Sequence, residues 1–205
     1  TCLMGQTGPA ANLAGFGYHA ASLAGFYEVT GWPDLPPAGP WMAYTDTIAP
    51  RFIPILLAAA LDYRRRTGKG CYIDVAQMET ALHFLAPELL DLQVNGYAAT
   101  RMGNRHRFFA PQGVYQCTGD EAWCAIGVDT DAQWQSLCKV IGQTEWADDP
   151  AYAFHAERLQ RHDDIDEAIT AWSRELDKYE AMAILQSAGI PAGAVQSSGD
   201  LLQDE

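Results

Sequence analysis

The chain has 205 residues, 48% hydrophobic and 19% charged, which is the composition of a globular protein with one large domain or two small ones. Its net charge is -13 and uneven: residues 1–100 carry 5 Lys/Arg against 8 Asp/Glu, and residues 101–205 carry 8 against 18. This excludes the basic face of a nucleic-acid binder, and no apolar run approaches the ~18 residues of a membrane span.

Residues 1–10 are Gly-rich and read as a loop, with Gly5 and Gly8 able to let a ligand approach the backbone. Asn12 is placed to cap a helix running to about Val29. Its small residues (Ala14, Gly15, Gly17, Ala20, Ala21, Ala24, Gly25) permit close helix packing. Residues 30–44 are irregular. The next helix should open near Thr45 or Asp46 and run to about Arg66, with Gly68 as a left-handed stop. Pro50 suits a first turn. Pro54 should kink that helix or mark its real start.

Tyr72 to Val75 reads as a short strand, and Gln77 to about Asn95 as a helix with Met78, Leu82, Leu85, Leu89 and Leu92 at helical spacing. Residues 96–111 turn polar and basic, with Arg101, Arg105 and Arg107. Strands are expected at Gly113–Cys117 and Ala122–Val128 around the turn Thr118–Glu121. Helices are expected at about 130–141, 156–175 and 177–188, with a last strand within Ile190–Val195. The domains are therefore read as 1–100 and 113–205, joined by a linker at 101–112.

Five scattered cysteines in no CxxC pair predict free thiols in a reducing cytosol, hence a cytoplasmic protein. Five dispersed histidines in no HxxxH or HExxH frame predict no metal site. No signal peptide is visible, and Thr1 is not a natural start, so upstream residues are expected.

One carboxylate stands apart. Asp46 sits at the mouth of a long apolar helix, where it is either an N-cap or a reagent. Arg64, Arg65, Arg66 and Lys69, at the far end, could meet phosphates or simply favour a helix C-terminus.

Asp46 stands within a series of landmarks. They are Gly5-x-x-Gly8-Pro9, Gly31-Trp32-Pro33-Asp34-Leu35-Pro36-Pro37, Leu61-x-x-Arg64-x-x-Thr67-Gly68-x-Gly70 and Ile73-Asp74-Val75, followed by Gly103-Asn104-Arg105, Ala110-Pro111-x-Gly113-x-Tyr115 and Gly189-Ile190-Pro191-Ala192-Gly193. In order and spacing, the chain resembles the family III CoA-transferases, with formyl-CoA transferase, carnitine CoA-transferase and alpha-methylacyl-CoA racemase among them. The resemblance implies an α/β fold: part of a Rossmann-like CoA domain, then a smaller α+β domain, in an interlocked homodimer. It implies coenzyme A, as acyl-CoA, for a substrate and a small carboxylic acid as its partner. Asp46 then becomes a nucleophile that forms an aspartyl anhydride and an aspartyl-CoA thioester. Gly5, Gly8, Gln77 and Arg105 become candidate CoA contacts, Gln77 standing where formyl-CoA transferase has a methionine beside the CoA.

Two departures bear on chemistry. Phe16 falls where the racemase has its catalytic histidine and formyl-CoA transferase a tyrosine; His19, three residues on, is not equivalent. Ala14 replaces a CoA-contacting lysine. Family members are much longer, so the chain is read as a central fragment. Three functions compete: CoA transfer, epimerisation alpha to a thioester, and a non-catalytic dimeric module.

Overall fold

The computed structural model describes residues 1–204. It resolves into two compact units, Thr1–Gly103 and a second that begins at Asn104.

The first unit is helical. α1 (Gly17–Ala24) starts four residues later than Asn12 would set it, after an extended Phe16. Glycines at 15 and 17 are poor helix formers and leave residues 13–16 outside. Gly25 ends α1 in the left-handed conformation (φ 101°), and a single turn, α2 (Phe26–Val29), follows. Gly17, Ala20, Ala21 and Ala24 form the buried face of α1, against α3 (Tyr44–Thr67) and α4 (Gln77–Leu82). Side chains this small give little apolar area but allow close backbone approach. The shared core is Ala21, Ala24, Phe26, Ile48, Ala81 and Leu85.

α3 starts at Tyr44 and continues through both prolines. Pro54 is therefore not its start, and Pro50 lies in the second turn rather than the first. Each proline removes one amide donor, so the carbonyls of Asp46 and Pro50 lack their i+4 partner. Gly68 closes the helix as expected, its N–H bonding the Arg64 carbonyl at 2.8 Å. The helix expected over Gln77–Asn95 is broken by a 3₁₀ turn at His83–Leu85, ahead of Pro87, and resumes as α5 (Ala86–Asn95). The strand expected at Tyr72–Val75 is extended chain with one parallel bridge, Cys2 to Ala76, instead of a ladder. A strand needs a neighbour along its length, and among the described residues Cys2 alone supplies one. The parallel sheet implied for a Rossmann-like domain is present here only as that bridge.

The second unit is α+β. β1 (Gln112–Gln116), β2 (Trp123–Gly127) and β3 (Ala192–Ala194) pair antiparallel in that order, with Val114 opposite Ala125 and Cys124 opposite Ala194. Alternation sends Cys124 and Ile126 inward from β2. They meet α6 (Asp131–Val140), α8 (His162–Ser173) and α9 (Lys178–Ser187) in a core with Trp134, Leu137, Ile165, Ile169 and Leu185. The helix expected at 156–175 is two, α7 (His155–Gln160) and α8, parted at a non-helical Arg161. A final turn, α10 (Ser198–Leu201), was not anticipated.

All five cysteines are free; Cys117, Cys124 and Cys138 are buried, and Cys71 is exposed. Burial pushes the Cys124 thiol up to about 11 and Cys138 to about 12.

A polar knot ties β1 to α8. The Tyr115 hydroxyl donates to Asp166 at 2.7 Å, Arg105 pairs with Asp163 and Asp166, and the Gln112 N–H approaches His162 Nε2 at 3.5 Å. Burial lowers the His162 pKa below its ordinary value of 6.5; Asp166 and Asp163 oppose that shift and Arg105 adds to it. An unfolded chain would take up the His162 proton near 6.5 and the folded one only below it. Stability should therefore fall as pH drops through 6.5. Thermal melts at pH 7.5 and 5.5 should show the loss, and His162→Gln should reduce the difference.

Candidate active site

Three helices begin at one place in the first unit: α1 at Gly17, α3 at Tyr44 and α4 at Gln77. Thr45, fully buried, joins them. Its hydroxyl lies 3.1 Å from the Gly17 carbonyl and 3.4 Å from Gln77 Oε1, sharing one proton between two acceptors. Helix N-termini carry unpaired N–H groups and a partial positive charge, so their meeting favours an anion.

The anion supplied there is Asp46, in the first turn of α3. It is not the N-cap, which is Ala43, and its own N–H bonds the Ala43 carbonyl at 2.9 Å. The carboxylate is exposed and has no hydrogen-bond or ion-pair partner among the described residues. It lies against the backbone of Gly17. A Cβ at Gly17 would come within 2.7 Å of Asp46 Oδ2 and 2.9 Å of the Ala43 Cβ. Position 17 thus has room for glycine only while Asp46 stays where it is.

Gln77 reaches this place through Thr45. The 2–8 loop reaches it through the chain before Gln77: Gln77 N–H donates to the Cys2 carbonyl at 3.0 Å, Met78 N–H to Leu3 at 3.1 Å, and Gln6 N–H to Asp74 Oδ2 at 2.8 Å. Gly5 has φ 87°, with Ala76 3.6 Å from where its Cβ would be. Gly8, at φ 88°, faces open space. Asp46, Gln77 and Gly5 therefore belong to one neighbourhood. Gly17 and Thr45, which hold it together, went unrecognised as site residues in the sequence. The one available signal was position: Thr45 directly precedes the singled-out carboxylate.

Arg105 belongs to the second unit, its guanidinium engaged by Asp163 and Asp166. Arg64, Arg65 and Arg66 close the last turn of α3, where Arg66 pairs with Asp62 at 2.9 Å. Arg101 meets Glu28 at 3.4 Å, and Arg107 lies over the Phe108 ring. Phe16 is 72% exposed at the head of α1. Its N–H donates to His19 Nδ1 at 3.0 Å.

Comparison with known proteins bears on this arrangement. The model of CoA-transferase family III matches residues 3–205. The chain is 31% identical over 200 residues to succinyl-CoA–D-citramalate CoA-transferase of Chloroflexus aurantiacus, covering 98% of this chain and 50% of that protein. It is 33% identical over 193 residues to acetyl-CoA:oxalate CoA-transferase of Acetobacter aceti, covering 92% and 48%. The crystal structure of a CAIB/BAIF family protein from Brucella suis superposes with a TM-score of 0.89 at 27% identity, covering 99% of this chain and 54% of the other. The chain spans about half the length of the curated relatives it matches.

Proposed function

Because the chain belongs to CoA-transferase family III, we propose that it carries the nucleophile for moving CoA between carboxylic acids, and that Asp46 is that nucleophile. The observation that carries this reading is the exposed, unpartnered Asp46 carboxylate held against Gly17 where three helices begin.

An Asp46 oxygen attacks the thioester carbonyl of an acyl-CoA. The C–S bond breaks, giving a mixed anhydride and CoA thiolate. The thiolate attacks the Asp46 carbonyl and expels the first acid as its carboxylate, leaving an aspartyl-CoA thioester. The acceptor carboxylate attacks that thioester and again frees the thiolate, which takes the new acyl group and restores Asp46. Each step passes through an oxyanion, which N–H groups of the converging helix ends are suited to stabilise. Gln77 accepts from Thr45 through Oε1, so its amide NH₂ is left to donate to CoA, and Gly5 and Gly8 let CoA approach the 2–8 loop. Arg105 remains a candidate contact only if a phosphate displaces its two carboxylates. We place the protein in the cytoplasm as a homodimer; the solvent-facing apolar residues of α3 and α5, Ile55, Leu57, Leu90 and Val94 among them, support association, which light scattering would test.

Epimerisation is less well supported. It needs a base on each face of the alpha carbon, Phe16 cannot move a proton, and His19 Nδ1 is occupied by the Phe16 N–H.

The test is chemical. Hydroxylamine added with an acyl-CoA attacks the aspartyl thioester, releases CoA and leaves a hydroxamate that mass spectrometry should locate at Asp46. Absence of that mass on Asp46, with the protein folded, would leave the non-catalytic module as the better reading.

Gly17→Ala probes the position of Asp46. Alanine favours a helix over glycine by about 1 kcal/mol, which offsets part of the cost of its overlap with the Ala43 Cβ, and circular dichroism with a melt checks that the fold is kept. The new methyl must push Asp46 aside, and a misplacement of ~1 Å can cost about 10²-fold in rate. A variant with unchanged melting and a hydroxamate rate equal to the parent's would show that Asp46 acts from another position.

A further inference from the structure

A threonine in a helix commonly returns its hydroxyl to a nearby carbonyl of the same helix. Thr47, Thr67 and Thr80 do so, each donating to a carbonyl three or four residues back. Thr45 does not. Its hydroxyl leaves α3 for the Gly17 carbonyl, 28 positions away, and for Gln77 Oε1, 32 positions away. The side chain is fully buried and its branched Cβ restricts rotation, so these two acceptors fix where the hydroxyl points.

Each contact reaches a different part of the reaction site. Gly17 is the residue whose backbone lies directly under the Asp46 carboxylate, so a shift of Gly17 moves the seat of that carboxylate. Gln77 is the candidate CoA contact. Toward Gly17, a carbonyl, Thr45 can only donate. Toward the Gln77 amide it can donate to Oε1 or accept from Nε2. With the proton offered to Oε1, the amide turns its NH₂ away from Thr45, as a donor. Without a hydroxyl at position 45, neither end of the amide is preferred there. One proton thus governs both the seat of the nucleophile and the polarity of the Gln77 amide.

We propose that Thr45 is a positioning residue for the acyl transfer: its hydroxyl, and not its bulk, holds Gly17 under Asp46 and orients the Gln77 amide for CoA. The proposal rests on Asp46 as nucleophile.

Two variants test it, with acetyl-CoA and succinyl-CoA as probes. Thr45→Val keeps the branched shape and removes the hydroxyl. Thr45→Ser keeps the hydroxyl and removes a methyl. Both disturb a fully buried position, so both should melt below the parent. Rate should separate them. Hydroxamate at Asp46 should form about 10²-fold more slowly in Thr45→Val, the cost of a nucleophile misplaced by ~1 Å, and within about threefold of the parent in Thr45→Ser. KM for the thioester should rise in Thr45→Val as in Gln77→Leu, and the double variant should show no further rise, because the contact is already lost. Heteronuclear NMR reads the amide without substrate: the Gln77 NH₂ pair should keep its position in Thr45→Ser and move in Thr45→Val. A Thr45→Val protein that is acylated at the parent's rate, or whose amide pair is unmoved, overturns the positioning role and leaves Asp46 in place. Equal rate losses in the two variants, in step with their melting, overturn it as well and reduce Thr45 to a buried structural contact. No hydroxamate in the parent from either thioester removes Asp46 as nucleophile, and the positioning role falls with it.

Discussion

Asp46→Ala should eliminate the hydroxylamine-trapped adduct and lower CoA exchange by several orders of magnitude, as loss of a covalent nucleophile does elsewhere. Its effect on folding should be small. The carboxylate is exposed and makes no hydrogen bond or ion pair among the described residues, so its favourable position at the head of α3 contributes about 0.3–1 kcal/mol. Urea denaturation should give nearly the parent's midpoint. Transfer at the parent's rate in this variant would show that some other group carries the acyl chemistry.

Arg158→Ala should have the opposite profile, with a large loss of stability and no direct effect on the Asp46 cluster, which belongs to the other unit. Arg158 is fully buried. Its guanidinium donates to the carbonyls of Ala110, Tyr152 and Ala153 and to Asp131 Oδ1 at 2.9 Å, and it lies 5.3 Å over the Trp134 ring. Truncation leaves three carbonyls short of a donor and opens space beside the aromatic stack of Trp134, Trp146 and Tyr152. Hydrogen bonds to a charged group contribute about 1.5–3 kcal/mol each, so losing those to three carbonyls takes a large share of the ~5–15 kcal/mol that keeps a domain folded. The denaturation midpoint of the second unit should drop accordingly. Asp131→Asn is the control: Asp131 is mostly solvent-exposed, so its loss should cost far less. Equal losses from the two variants would mean that Coulomb attraction, and not the buried donors, holds this corner.

The sequence showed most clearly what local chemistry decides. Alternation located β1 and β2 to within a residue or so, and Gly68 stopped α3 where a left-handed residue was expected. Thr130 and Gln133 form the reciprocal cap that opens α6 near its expected start. The misses have tertiary causes. Periodicity carried the helix after Gln77 across His83–Leu85, because the apolar spacing survives a tight turn that Pro87 enforces. Residues 72–75 have strand composition, but composition cannot supply a pairing partner. Within the candidate site, Asp46 stood out as a lone acid at a helix mouth. Gly17 and Thr45 did not, since their roles appear only once residues 28 or 32 positions apart are in contact.

The two prolines of α3 bear on how force travels through it. A helix resists bending through its ladder of amide bonds, and here two rungs four residues apart are missing, at Pro50 and Pro54. The segment between acts as a compliant joint. Motion of the long, solvent-facing, cation-tipped half beyond it should be damped before it reaches the first turn. Mechanically, Asp46 is then coupled less to the rest of its own helix than to the heads of α1 and α4, to which Thr45 fastens it.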